Sequence, residues 1–179
     1  MSGEGFPFAL PFSRFTASAR EGAALFEELR KPLLRYLVSL GLSADEAQDV
    51  VQDAFLSLHR SLETDATPEN ARAWLFRVAH NAARNRQKSY HRRFGAPLDG
   101  EALHLADGST PERTVIEKEK YRKLRAAIQS LDNDERECLT LRGEGLRYRE
   151  IGEVLDLPTS TVAGIVDRAV KKLAEKCNV

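Results

Sequence analysis

The chain holds 179 residues, 42% hydrophobic and 30% charged, a composition that suits one soluble domain or two small ones. Its 27 lysines and arginines balance its 27 aspartates and glutamates, so only local segregation of charge can select a charged partner. No apolar run reaches the ~20 residues of a membrane span, so direct membrane insertion is not expected. Cys138 and Cys177 stand apart from each other and from any histidine cluster, which argues against a disulfide scaffold or a zinc site.

Residues 1–20 scatter Phe6, Phe8, Phe12 and Phe15 among Gly, Pro and Ser without a sustained period. They read as a mobile arm, and with no basic leader or continuous apolar stretch they do not read as a secretory signal. A helix follows over Leu25 to Leu40, ended by Gly41. Ser43, with Glu46 three residues on, has the pattern of a capping box for the next helix. In that helix Val50, Val51, Ala54, Phe55, Leu58 and Leu62 share one face. Thr64 to Asn70 is a polar turn, and Ala71 to about Lys88 is a third helix with Trp74, Leu75, Val78, Ala79 and Ala82 on one side.

These two helices segregate charge. Asp45, Asp49, Gln52 and Asp53 lie opposite the apolar stripe of the first, and no Lys or Arg occurs between Tyr36 and His59. The pattern suits either a solvated acidic face or a docking face for a basic partner. The next helix inverts the sign, with seven basic residues and no acid from Arg72 to Arg93. Arg77, His80, Asn81, Arg84 and Lys88 form one polar stripe. Such a stripe is either solvated or answered by phosphates, with Asn, His and aromatic neighbours available to bases.

Phe94 to Thr110 is rich in Gly, Pro and Asp and reads as a flexible linker between two units. Ser109-Thr110-Pro111-Glu112 then signals another helix start. Between Leu131 and Lys176 three helical segments follow. The last two are separated only by Asp156-Leu157-Pro158, the arrangement of a helix-turn-helix. Cys138 falls among the core positions of the first of these. Strand-type alternation is missing, so the expected fold is all-α in two helical domains. The expected boundaries are an arm at 1–20, a first domain at 21–93, a linker at 94–110 and a second domain at 111–179.

The stretches DEAQDVVQDAFLSLHRSL, ARAWLFRVAHNAARNRQKS and LDNDERECLTLRGEGLRYREIGEVLDLPTSTVAGIVDRAVKKL resemble bacterial sigma factors of the extracytoplasmic-function (ECF) type. Leu25 to Arg93 is similar to sigma region 2, and Leu131 to Lys176 to region 4. The resemblance implies a protein that binds core RNA polymerase, recognises the −10 and −35 elements of promoter DNA and melts the duplex. Asp45, Asp49, Gln52 and Asp53 would dock on the polymerase clamp. Arg72, Arg77, His80, Asn81, Arg84, Asn85 and Lys88 would contact the −10 strand, and Thr64 to Asn70 would help form a pocket for an extruded base. Trp74 is weighed as a core anchor ahead of a stacking platform. Arg147, Arg149, Ser160, Thr161, Arg168, Lys171 and Lys172 would serve the −35 element. The resemblance further implies an anti-sigma factor as a partner, a cytoplasmic setting and no cofactor.

The second domain departs from the family's pattern. Ala163, Ile165 and Asp167 stand where basic groups are common, and Gly164 weakens the helix by up to ~1 kcal/mol relative to Ala. Ten acids against eight bases in Leu131 to Lys176 make this no cationic module, so weak or unusual −35 reading is expected. A sigma-like regulator that binds polymerase or an anti-sigma factor without directing initiation is the alternative. No phosphate loop, GxSxG or HExxH pattern is present and the four histidines are scattered, so an enzyme is not expected.

Overall fold

The computed structural model describes residues 12–63, 68–94 and 115–177. These form seven helices: α1 Phe12–Ser39, α2 Ala44–Glu63, α3 Ala71–Phe94, α4 Val115–Gln129, α5 Asn133–Gly143, α6 Tyr148–Leu155 and α7 Thr159–Cys177. No strand occurs among the described residues. The all-α expectation holds, and the apolar spacing seen in the sequence is the reason. Leu29, Leu33, Tyr36 and Leu37 of α1 are buried against Ala47, Val50, Val51, Ala54 and Leu58 of α2. Leu75, Phe76, Ala79 and Ala83 of α3 complete that layer.

Local signals fix the helix ends. Gly41 takes φ +94°, a left-handed conformation that costs a residue with a Cβ, and its N–H closes on the Val38 carbonyl at 2.9 Å. The expected capping box forms: Ser43 Oγ accepts from Glu46 N at 3.3 Å, and Glu46 Oε2 accepts from Ser43 N at 3.0 Å. A second box, unremarked in the sequence, starts α5, where Asp132 accepts from Glu135 N and Glu135 from Asp132 N. The first helix differs from expectation. It begins at Phe12, so residues 12–20 of the expected arm are helical, while residues 1–11 lie outside the described residues. The expected linker beyond Phe94 and the helix start at Ser109–Glu112 also lie outside them.

Helices α4 to α7 form the second unit, in which α7 packs on α4, α5 and α6. Cys138, Leu141, Leu146, Ile151, Val154, Val162, Ile165 and Val166 build its interior, with Cys138 fully buried as expected. The two units do not stand apart. Their buried side chains form one continuous cluster, with α3 packed on α6 and α1 touching α5. Each buried Leu or Phe contributes about 1.5–3 kcal/mol, against about 0–1 kcal/mol for an exposed ion pair, so the apolar interior dominates the stability.

Candidate polymerase and nucleic-acid interfaces

Asp45, Asp49, Gln52 and Asp53 are all exposed on α2, on the side opposite Val50, Ala54 and Leu58. Beside them α1 and α2 enclose a shallow groove of about 270 Å³ lined by Phe26, Arg30, Leu34, Gln48, Val51 and Gln52. Phe26 meets Phe55 edge-on there at 4.9 Å between ring centres. Leu56, on the same helix, is 46% exposed. This face therefore joins carboxylates to an apolar groove, a combination that suits a partner helix with both basic and apolar groups.

Helix α3 sorts its polar residues into two sets. Arg77, Asn81, Asn85 and Lys88 recur at four, four and three residues and are exposed, a row that follows one face of the helix. His80 is different: with Phe76 and Ala83 it lies on the buried face and is only 8% exposed. The Tyr36 hydroxyl lies 2.7 Å from His80 Nδ1, and the rings are stacked. Burial, with help from Arg84, pulls the His80 pKa down to about 4. The ring is thus neutral near pH 7 and shares one hydrogen bond with the Tyr36 hydroxyl, whose own pKa burial pushes up. The 4.0 Å approach of Glu137 to this ring is accordingly no ion pair at neutral pH.

Arg72 and Arg84 are half-buried and already engaged. Arg84 pairs with Glu137 of α5 at 2.6 Å, and burial raises the Glu137 pKa against the pull of that guanidinium. Arg72 donates to the Glu144 main-chain carbonyl and pairs with Glu28 at 3.0 Å. Arg86, counted in the sequence among seven unanswered cations, donates to the Glu46 carbonyl at 3.1 Å and helps tie α3 to the start of α2. Gln87 reinforces that tie through the Leu40 carbonyl at 2.5 Å.

The loop before α3 is described only from Pro68. Residues 64–67 of the expected base pocket lie outside the described residues. Pro68, Asn70, Trp74 and Arg77 line a cleft of about 370 Å³ whose other wall is Arg147, Arg149 and Glu150 of the second unit. Trp74 both packs on the interior and lines this cleft, so anchoring and contact with a ligand are compatible.

In the second unit α6 and α7 meet across Asp156, which takes φ 56° and ψ 46°. The turn sits so close to α6 that a Cβ on Gly152 would fall 2.5 Å from the Leu157 carbonyl oxygen. Glycine is what permits the tight helix-turn-helix. Ser160, Thr161, Arg168 and Lys171 are exposed on α7, and Arg147 and Arg149 on or just before α6. Several of the cations are neutralised within the unit. Arg149 pairs with Glu153 at 3.1 Å, Lys171 with Asp167 at 2.8 Å, and Lys172 with the buried Glu135 at 2.5 Å. No trio of His, Cys, Asp or Glu among the described residues is arranged to hold a metal.

Three residues that the sequence reading passed over organise the site: Glu137, Glu144 and Glu150. Each reaches from the second unit to the first, with partners 53 to 109 residues away. The excess of acids in Leu131 to Lys176 is their only trace in the sequence.

Comparison with known proteins agrees with this layout. The family described as Sigma-70 region 2 matches residues 25–93, and Sigma-70, region 4 matches residues 121–173. The chain is 32% identical over 152 residues to the ECF RNA polymerase sigma-E factor of Haemophilus influenzae, covering 78% of this chain and 79% of that protein. It is 34% identical over 149 residues to the RNA polymerase sigma-H factor of Pseudomonas aeruginosa, covering 76% of each. Similar folds occur in the Bartonella quintana sigma factor RpoE, solved with the anti-sigma factor NepR, and in CnrH, solved with the cytosolic domain of CnrY. The TM-scores are 0.60 and 0.57, both at 24% identity. The first match covers 87% of this chain and 98% of RpoE, and the second 91% of each chain.

Proposed function

The chain belongs to the ECF sigma factors of bacterial RNA polymerase, and from that membership we infer how its two units divide the work of promoter-directed initiation. Region 2 runs through 25–93 and region 4 through 121–173, with an interdomain segment between. The exposed Asp45, Asp49, Gln52 and Asp53 dock on the polymerase clamp, and the adjoining groove under Phe26 and Leu34 takes apolar groups of the same partner. Placing carboxylates around an apolar groove gives charge the orienting role and burial the larger share of the affinity.

Helix α3 handles the −10 strand. Arg77, Asn81, Asn85 and Lys88 form the contact row, Arg72 and Arg84 flank it, and His80 acts from beneath by fixing Tyr36 and the helix face. Phosphates neutralised along this row position the strand, while Trp74 and the cleft beside it accept an unstacked base. Capture of unpaired bases supplies free energy for melting, so no nucleotide hydrolysis is required and the protein acts without catalysing a reaction. In region 4, Ser160, Thr161 and Arg168 face the −35 element, with Arg147 and Arg149 on the backbone. Because Asp167 and Glu153 hold neighbouring cations, recognition there is weak in charge and relies on shape and polar contacts.

Membership of a family that works with RNA polymerase supports action in the cytoplasm, and no helix among the described residues is long and apolar enough to cross a membrane. The co-structures of two fold relatives support an anti-sigma factor as a regulator of this chain too. The observation that carries the reading is the neighbouring pair of an exposed acidic face on α2 and a cationic row on α3, followed by a helix-turn-helix. Run-off transcription with core polymerase and a promoter library is the test. Selective transcripts that depend on this chain are expected; absence of both transcripts and core binding would overturn the reading.

A further inference from the structure

The cleft between the two units holds about 370 Å³, within the range of about 300–1,000 Å³ that small-molecule sites occupy. Much of its polar lining is answered inside the protein. Arg149 pairs with Glu153 at 3.1 Å, and Glu150 accepts from Asn70 Nδ2 and from Arg147 N, each at 2.6 Å. Three charged side chains are left over. Among the described residues, Glu69 and Arg77 of the first unit and Arg147 of the second line the cleft without forming an ion pair. The sole tryptophan, Trp74, stands in the same wall and is held there by its packing on the interior.

Each of these groups has a matching chemistry. The face of an indole stacks on a planar base. Two unanswered guanidiniums against one carboxylate leave a positive excess, which suits a phosphate held by charge-assisted bonds. An ionised carboxylate accepts through two oxygens and donates nothing. Guanine meets that requirement with two adjacent donors, N1–H and the 2-amino group, on one edge. Adenine and cytosine set a single amino group beside a ring acceptor, which a carboxylate repels.

We propose that this cleft is a binding site for a free guanine nucleotide: the base stacks on Trp74, Glu69 reads its N1–H and 2-amino edge, and Arg77 and Arg147 take the phosphate. The site does not depend on the assignment of α3 to the promoter strand. That strand row includes Asn81, Asn85 and Lys88, none of which lines the cleft, whereas the nucleotide needs Arg147 from the second unit. A nucleotide within a DNA strand offers the same base and phosphate, so the experiment separates the two sources.

Because Trp74 is the sole tryptophan, its fluorescence reports on the cleft in the full chain. Guanosine 5′-monophosphate (GMP) should quench it saturably, with calorimetry on the same samples giving the Kd. AMP and guanosine should each bind about tenfold more weakly or worse, the equivalent of one charged hydrogen bond. Ribose 5-phosphate should leave the emission unchanged. Glu69→Gln should abolish the preference for GMP over AMP, and Arg147→Gln should weaken GMP about tenfold while leaving guanosine unaffected. Asn85→Ala with Lys88→Ala should weaken a fluorescein-labelled random single strand and leave GMP binding intact. All four positions are exposed, so the variants should keep the parent's circular dichroism.

Neither quenching nor heat with millimolar GMP would overturn the proposal. Equal Kd values for GMP and AMP would do the same, as would an Arg147→Gln chain that binds GMP like the parent. Loss of GMP binding in the Asn85→Ala, Lys88→Ala chain would place the nucleotide on the strand row, refuting the cleft while leaving the assignment of α3 in place.

Discussion

Two glycines of the helix-turn-helix should respond in opposite directions to the same substitution. At Gly164 a new Cβ meets nothing nearer than the flexible end of Arg168, at 3.6 Å. Alanine there recovers the helix propensity that glycine forfeits, about 1 kcal/mol of added stability. At Gly152 the new Cβ falls 2.5 Å from the Leu157 carbonyl oxygen, a backbone atom that no rotamer change can move. The turn must shift, and with it the 3.0 Å bond from Leu157 N to the Gly152 carbonyl. Overpacking of this kind typically costs about 1–3 kcal/mol or more, which exceeds the same ~1 kcal/mol propensity gain. A clash with backbone at 2.5 Å belongs in the upper part of that range, about 2–3 kcal/mol, so the net effect of Gly152→Ala is a loss of about 1–2 kcal/mol, or a fall of about 2–8 °C in Tm at this chain length, while Gly164→Ala raises Tm by about 2–4 °C. Urea and thermal unfolding followed by helical circular dichroism would read both. A Gly152→Ala chain as stable as Gly164→Ala would refute the claim that the α6–α7 approach sets the turn.

Reversing charge with Asp49→Lys and Asp53→Lys should weaken core polymerase binding at least about tenfold, with helical content unchanged, because both side chains are exposed and outside the packed interior. Equal core affinity in a pull-down titration would remove the docking face. Asp167→Asn releases Lys171 from its 2.8 Å partner, so duplex affinity should rise and its salt dependence steepen by about one counter-ion if α7 contacts phosphate. An unchanged slope would place Lys171 away from DNA. His80 faces Tyr36 from α1, Arg84 on its own helix and Glu137 from α5. Its folded pKa, about 4, lies below the ordinary 6.5, so its contribution is present above pH 6.5 and is lost as pH falls toward 4. The full loss is about 3 kcal/mol, opposed by Glu137, whose raised pKa favours the folded state as it protonates. Denaturation midpoints between pH 7 and 4 should therefore fall less in Glu137→Gln,His80→Gln than in Glu137→Gln alone; parallel curves would show that His80 charges freely.

Much of this architecture was legible because the relevant information is local. Helices α2 and α3 announce themselves through apolar residues every three or four positions, and the Ser43–Glu46 box follows from a spacing of three. The acidic face and the exposed α3 row are likewise one-helix properties. The early part of α1 was not legible, because Phe12 to Gly22 mixes small and polar residues whose helical period carries few apolar markers. His80 was misleading for a different reason. It shares a stripe with Arg77 and Arg84 on paper, yet its register with Phe76 and Ala83 turns the ring inward to Tyr36. Least legible was the docking of the two units. The pairs Arg35–Glu144 and Arg84–Glu137 join residues 109 and 53 positions apart, and nothing in their local neighbourhoods specifies the match.

Asn70 occupies the junction where folding and docking meet. Its Oδ1 accepts from Ala73 N at 3.1 Å and caps α3, while its Nδ2 donates to Glu150 at 2.6 Å. Only an amide offers both a strong acceptor and a donor from one planar group at this reach. An aspartate at this place would serve the helix as well or better, yet set a second negative charge against Glu150. The side chain that starts α3 thus also holds, through one rigid plane, the first turn of α6. Movement of region 4 relative to region 2 would break the bond to Glu150 at the amino end of α3, the helix proposed to hold the strand.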